Sequence, residues 1–71
     1  MTQARWFTTH EYGSYPIERA VIGSCDLSVL YVSGEWQWLV RRHGRDAAEG
    51  IARTALDARE QAEAAALSLL G

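Results

Sequence analysis

The segment from Ala55 to Leu70 constrains the fold more than any other part of the sequence. Six of its sixteen residues are Ala, the strongest helix former. Thr54 is suited to cap the amino end of a helix, Asp57 completes the capping-box pattern, and Gly71 is a natural stop. These features predict one helix from Ala55 to Leu70.

One stripe of this helix carries small apolar side chains. At 100° per residue, the stripe comprises Ala55, Ala58, Ala62, Ala65, Ala66 and Leu69. Such a stripe lets a helix axis lie close to a sheet, so the sheet must supply the bulk of the core. The three Trp and three Tyr residues suit that role, since each aromatic side chain buries about 150–250 Å².

Alternating apolar residues predict two paired strands in the middle of the chain. In "CDLSVLYV" the predicted core face comprises Cys25, Leu27, Val29 and Tyr31. In "EWQWLVRRH" it comprises Trp36, Trp38 and Val40, and we expect the helix to cover both Trp side chains. Because only residues 33–35 connect the two segments, the strands are predicted to pair antiparallel.

The other strands are less regular. Residues 4–10, "ARWFTTH", contain aromatic and β-branched side chains and predict a first strand. Gly13, Ser14 and Pro16 predict a turn, and residues 11–24 as a whole fit either a strand or a loop.

A further strand is predicted over residues 47–53, after a turn at Gly44, Arg45 and Asp46. Gly50 would cost about 1 kcal/mol inside a helix, whereas Ile51 suits a strand. The predicted fold is α+β: a single domain over residues 1–71, in which an antiparallel sheet of three or four strands carries one C-terminal helix on one face.

Charge and hydropathy exclude several classes of protein. The net charge of −2 argues against a dedicated nucleic-acid binder, because such domains usually carry a basic excess. No run of about 18 apolar residues is present, so no membrane-spanning helix is predicted. The first residues lack the apolar core of a signal peptide. The expected compartment is therefore the cytoplasm, with Cys25 reduced.

No catalytic or metal-binding motif is apparent. His10, His43 and Cys25 stand at unrelated positions, and "GSC" lacks the flanking pattern of a nucleophile elbow. No Cys and His residues have zinc-site spacing, and no glycines form a phosphate-binding loop. We expect no enzymatic activity, no metal and no cofactor.

One basic cluster admits two interpretations. It comprises Arg41, Arg42, His43 and Arg45. With the neighbouring Trp side chains it would suit phosphate contact and base stacking, as on sheets that bind single-stranded nucleic acid. Strand alternation places Arg41 and Arg42 on opposite faces, which favours a solvated turn and leaves nucleic-acid binding as the alternative.

An acidic set on and before the helix is the better candidate for a binding surface. It comprises Glu49, Asp57, Glu60 and Glu63. This set is either an ordinary solvated helix face or a surface for a basic protein partner, and the outer face of the sheet is the other candidate contact surface. Leu56 and Leu67 fall outside the alanine stripe, and exposed apolar groups of this kind mark possible subunit interfaces. A homodimer could form through these two residues or through an edge of the sheet.

Residues 36–66 resemble a type of small phage and prophage protein. In that type a "W-x-W/V-x-V" strand precedes a turn, then "G-x-A-x-T/S", then a helix reading "xxDAxxxAExA". The matching residues are Trp36, Trp38, Val40, Gly50, Ala52, Thr54, Asp57, Ala58, Ala62 and Glu63. Some small phage proteins of this plan are anti-CRISPR proteins, which bind a CRISPR effector complex without catalysis. The resemblance implies a non-enzymatic inhibitor that occludes a nucleic-acid-binding surface of such a complex.

The order of strands and helix also resembles the latter part of a double-stranded RNA-binding domain. Such domains begin their final helix with a basic cluster that holds phosphates. Here that place reads "TALDARE", in which Asp57 and Glu60 accompany Arg59. The resemblance implies a similar fold, while the acidic residues depart from the phosphate-binding pattern.

Overall fold

A meander of five antiparallel strands followed by one helix forms the fold. The computed structural model describes residues 4–11 and 15–71. Its elements are β1 (Phe7–Glu11), β2 (Tyr15–Ile22), β3 (Cys25–Val32), β4 (Glu35–Arg42), β5 (Arg45–Ala52) and α1 (Ala55–Leu70). The sheet order follows the chain order, β1-β2-β3-β4-β5, and every neighbouring pair is antiparallel. The α+β class is confirmed, but the sheet has five strands, not three or four.

The additional strand is β2, which lies in the region that fitted either a strand or a loop. Pro16 is its second residue and lies opposite His10 of β1. The pairing of β2 with β3 begins only at Glu18, so the missing amide of Pro16 interrupts no bond on that side. Gly13 and Ser14 of the predicted turn lie outside the described residues.

Two tight hairpins connect the last three strands. Ser33 and Gly34 join β3 to β4, and His43 and Gly44 join β4 to β5. All four residues have positive φ, between 51° and 83°, as type I′ turns require. The predicted short connection between β3 and β4 is confirmed.

The predicted turn before β5 is shifted by the structure. Arg45 and Asp46 belong to β5 and lie opposite Arg42 and Arg41, while the turn itself is His43-Gly44. The register between β4 and β5 then shifts by one residue: Arg41 pairs with Asp46 but Val40 pairs with Ala48, so Ala47 of β5 has no partner on β4. Without this bulge, the two-residue turn would place residue 47 opposite Val40. The extra residue places Ala48 there instead, so Ala48 points inward.

The core lies between α1 and one face of the sheet. Fully buried side chains of the helix are Ala58, Ala62 and Ala66, and those of the sheet include Cys25, Leu27, Val29 and Val40. The alanine stripe and three of the four predicted core positions of β3 are confirmed. Tyr31, the fourth, is 51% exposed because α1 begins over Val29 and Ala52; its ring lies 5.0 Å from that of Trp36.

Both ends of α1 have the predicted caps. The hydroxyl oxygen of Thr54 accepts a hydrogen bond from the amide of Asp57 at 3.0 Å. At the other end, the amide of Gly71 donates to the carbonyl of Leu67 at 2.9 Å. These bonds satisfy backbone groups that have no partner within a helix.

Candidate partner-binding surface

The sheet face opposite α1 carries exposed apolar side chains. Residues that alternate with the core positions point to this side, which we call the open face. Its most exposed apolar residues are Phe7, Val21, Val32 and Ile51. Between them lie the half-buried side chains of Ile17, Leu30 and Leu39. The open face therefore carries apolar side chains on all five strands, although no element of the described chain covers it.

A shallow hollow of about 520 Å³ lies over β3, β4 and β5 on this face. Its lining includes Trp38 and Gly50, and the lining residues that alternation places on the open face are Leu30, Gln37, Leu39, Asp46, Glu49 and Ile51. The register places Leu30, Gln37 and Ile51 side by side on the three strands, and Leu39 beside Glu49. The hollow consequently has an apolar floor and two carboxylates along its β5 side.

Among the strand residues whose side chains the structure describes, acidic ones outnumber basic ones on the open face. The acidic residues are Asp26, Glu35, Asp46 and Glu49, and the basic ones are Arg19 and Arg41. Arg41 forms an ion pair with Asp46 at 3.1 Å and lies opposite Asp26. Glu49 is exposed and forms no ion pair with any described residue. Its carboxylate is therefore available to a partner, as are those of the exposed Asp26 and Glu35.

The basic cluster is divided by the sheet. Arg41 lies on the open face, whereas Arg42 points to the helix side, where its guanidinium donates to the carbonyl of Leu69 at 2.9 Å and to the hydroxyl of Ser24 at 3.0 Å. His43 is in the turn, and His43 and Arg45 are both exposed. The role of Arg42 as a cap on the last turn of α1 was not predicted, because it depends on a contact with a residue 27 positions away.

The acidic set is also divided. Glu49 lies on the open face, whereas Asp57 and Glu60 are exposed on α1. Glu63 is half-buried and accepts a hydrogen bond from the indole of Trp6 at 2.6 Å, so its carboxylate already has a partner. We call the exposed side of α1 that carries Leu56, Asp57, Glu60 and Leu67 the outer helix surface.

All three Trp side chains are half-buried and pack against the core, as expected for Trp36 and Trp38. The indole of Trp38 donates to the side-chain oxygen of Gln61 on α1 at 3.0 Å. It also covers Gly50, where an added Cβ would lie 2.6 Å from the ring. Gly50 is thus needed for the close approach of Trp38. The sequence signal for this contact is a glycine inside a strand pattern.

A polar cluster ties α1 to the first two strands. Arg59 forms an ion pair with Glu18 of β2, and its guanidinium lies 5.9 Å from the ring centroid of Trp6. Together with the bond from Trp6 to Glu63, these contacts hold the start of β1 against the helix. This cluster occupies the polar groups of one flank of α1 and leaves the open face untouched.

Two further observations concern the chemistry of the surface. Within residues 4–11 and 15–71, no three His, Cys, Asp or Glu side chains are grouped so that they could hold a metal ion. Over the same ranges, no helix has the length and apolar character needed to cross a bilayer. Comparison of the chain with protein families, with curated proteins and with solved structures finds no match.

Proposed function

We propose that this chain is a non-enzymatic protein-binding module that docks through its open face. The observation that carries the proposal is the exposure of Phe7, Val21 and Ile51 on that face, each by more than half. Apolar surface gains roughly 25 cal/mol per Å² when it leaves water, and contiguous exposed patches mark interaction sites. A partner that covers the open face would gain this free energy.

The charges of the open face define the chemistry of the partner. The excess of carboxylates, with the exposed Glu49 beside Leu39, fits a protein surface that is apolar at its centre and basic at its margin. Protein surfaces that bind nucleic acid carry such basic margins. The proposed mechanism is steric and electrostatic occlusion of a surface of this kind. The resemblance to small phage proteins makes a CRISPR effector complex the first partner to test.

The outer helix surface is the competing site. Leu56 and Leu67 are exposed there, but they are separated by three helical turns, roughly 16 Å along the axis. Acidic side chains lie between them, and Glu63 beside them is already bonded to Trp6. The outer helix surface therefore offers two isolated apolar contacts, whereas the open face offers apolar side chains on each of its five strands.

Ile51→Arg and Leu56→Arg form a matched pair that separates the two surfaces. The side chains are 59% and 60% exposed, so neither change disturbs the core. With purified CRISPR effector complexes on a biosensor, we expect Ile51→Arg to weaken binding about tenfold or more and Leu56→Arg to leave it within about twofold. The reverse pattern would assign binding to the outer helix surface and defeat the proposal.

The nucleic-acid alternative makes a different prediction. Binding through Arg41, Arg42, His43 and Arg45 would release counterions and depend steeply on salt. Because Arg41 is paired with Asp46 and Arg42 caps α1, we expect no mobility shift of DNA or RNA at about 50 mM salt. A salt-dependent shift that Arg45→Ala reduces would favour the alternative.

A further inference from the structure

We infer that the segment of the partner which occupies the open face is an amphipathic α-helix with basic residues along one flank, lying over β3, β4 and β5. The inference rests on the proposed function and narrows the partner to one kind of segment. It is carried by the shape of the hollow and by the position of its carboxylates.

The width of the hollow matches a helix. Adjacent strands lie about 4.8 Å apart, so the distance from Leu30 on β3 to Ile51 on β5 is roughly 10 Å. An α-helix with its side chains is about 10–12 Å across. The other face of the same three strands already carries α1. A second helix over the hollow would complete three layers, with helices on both faces of the sheet.

The charges of the hollow lie on one side and orient such a helix. Both carboxylates, Asp46 and Glu49, belong to β5, whereas the β3 side is formed by Leu30. Asp46 is paired with Arg41, and Glu49 is the exposed carboxylate without an ion pair among the described residues. A Lys or Arg on the partner helix would therefore face Glu49 of β5. The apolar side of the same helix would then pack on Leu30, Leu39 and Ile51.

Two other occupants fit the hollow less well. An extended segment would pair with the free edge of β5 and would not lie over the hollow, and the extra residue between Asp46 and Ala48 distorts that edge near the hairpin. A second copy would bring two faces with an excess of carboxylates together, and like charges oppose such an association. Each of these occupants has a distinct outcome in the test below.

The test is a titration of the isotope-labelled full chain with a designed peptide, followed by NMR. The peptide has about 18 residues, five helical turns, with Leu at i, i+3, i+4 and i+7 spacing and Lys elsewhere. The first control peptide has the same composition in an order without amphipathicity, and the second replaces every Lys with Glu. We expect the amphipathic Leu/Lys peptide to shift the methyl signals of Leu30, Leu39 and Ile51 and to bind about tenfold more tightly than either control peptide.

A matched pair of charge reversals tests the orientation. We expect Glu49→Arg to lower the affinity of the chain for the peptide about fivefold. Glu60→Arg, on the outer helix surface, should change that affinity less than about twofold. Equal effects of the two reversals would mean that the peptide binds by net charge alone, which would overturn the inference.

The remaining outcomes separate this inference from the proposed function. Shifts confined to the backbone amides of β5 would indicate that an extended segment binds. A dimer in light scattering, with the open-face methyl groups shielded from solvent, would indicate that a second copy of the chain binds. Either result overturns the inference. If Ile51→Arg still abolishes partner binding but no helical peptide binds, only the helical occupant is wrong. If Ile51→Arg has no effect on partner binding, the proposed function falls as well.

Discussion

The helix-covered face and the open face of the sheet alternate along the same five strands, yet their side chains are arranged differently. On the covered face, bulky sheet residues such as Leu27 and Val40 meet the small side chains of Ala62 and Ala66. Its aromatic residues also find polar partners, since the indoles of Trp6 and Trp38 donate to side chains of α1. The buried apolar residues of that face and its Trp6 and Trp38 indoles thus have counterparts on α1.

On the open face the apolar residues have no such counterpart in the described chain. Ile51 and Val21 are each 59% exposed, and charged side chains lie between the apolar ones. A sheet with one packed face is stable as it stands, because α1 already supplies the core. The comparison indicates that the covered face determines folding, whereas the open face is free to serve binding. Four predictions test this division, from the largest expected change in stability to the smallest.

The covered face should not tolerate a larger helix residue. Ala62 is fully buried between α1 and the sheet, so Ala62→Leu would force the helix away and lower the free energy of unfolding by about 3 kcal/mol. The matched control is Ala64→Leu, the same change at an exposed position of α1, which should stay within about 0.5 kcal/mol of the parent. Urea denaturation followed by Trp fluorescence measures both. If the two variants lost the same free energy of unfolding, close packing of α1 on the sheet would not be what stabilises the covered face.

The contact between Trp38 and Gly50 should be the next most sensitive. A Cβ at Gly50 would lie 2.6 Å from the indole, so Gly50→Ala is expected to cost about 1–2 kcal/mol. This outweighs the gain that Gly→Ala usually brings by restricting the unfolded chain. In a Trp38→Leu background the cost of Gly50→Ala should shrink, which a double-mutant cycle of unfolding free energies measures. An unchanged cost would place its cause in the backbone rather than in the ring.

Arg42 should stabilise the fold more than its neighbours in the basic cluster. Arg42→Ala removes the bonds to the carbonyl of Leu69 and the hydroxyl of Ser24, and with them a cation at the negative end of the helix dipole. We expect a loss of about 1 kcal/mol and faster amide exchange in the last turn of α1. Arg45→Ala, at an exposed position, should stay within about 0.5 kcal/mol. Similar losses in both variants would contradict the cap.

The sequence predicted best where local signals agree. Thr54, Asp57 and Gly71 mark the ends of α1, and strict alternation marks β3 and β4, so these elements lie where the pattern placed them. Residues 11–24 fit either a strand or a loop, because Gly13, Ser14 and Pro16 predict a turn there. The structure adds a feature of β2 without a local signal, the inward position of Glu18 opposite Val29. Glu18 becomes suitable for the helix side only through its ion pair with Arg59, 41 positions later. A contact of that separation has no local signal.

The open face could be predicted only in part, for a similar reason. Alternation places Leu30 and Leu39 on the face opposite the predicted core, but the other strands carry no pattern as clear. The open face collects every second residue of five strands, so its composition is defined only once the register is known. Glu49 and Asp57 are close in sequence and both acidic, yet the sheet places them on different surfaces. Conversely, Leu30 and Ile51 are far apart in sequence and line the same hollow.

The smallest change in stability is expected where the change in binding is largest. Ile51→Arg should stay within about 0.5 kcal/mol of the parent in urea, because the side chain is 59% exposed and contributes little to the core. Leu27→Ala, at a fully buried position of the same sheet, should cost about 3 kcal/mol and serves as the control for a residue that folding requires. A loss of more than about 1 kcal/mol for Ile51→Arg would mean that the open face also supports the fold. In that case, reduced partner binding by this variant would no longer distinguish a binding surface from a destabilised one, and Glu49→Arg would have to carry the distinction instead.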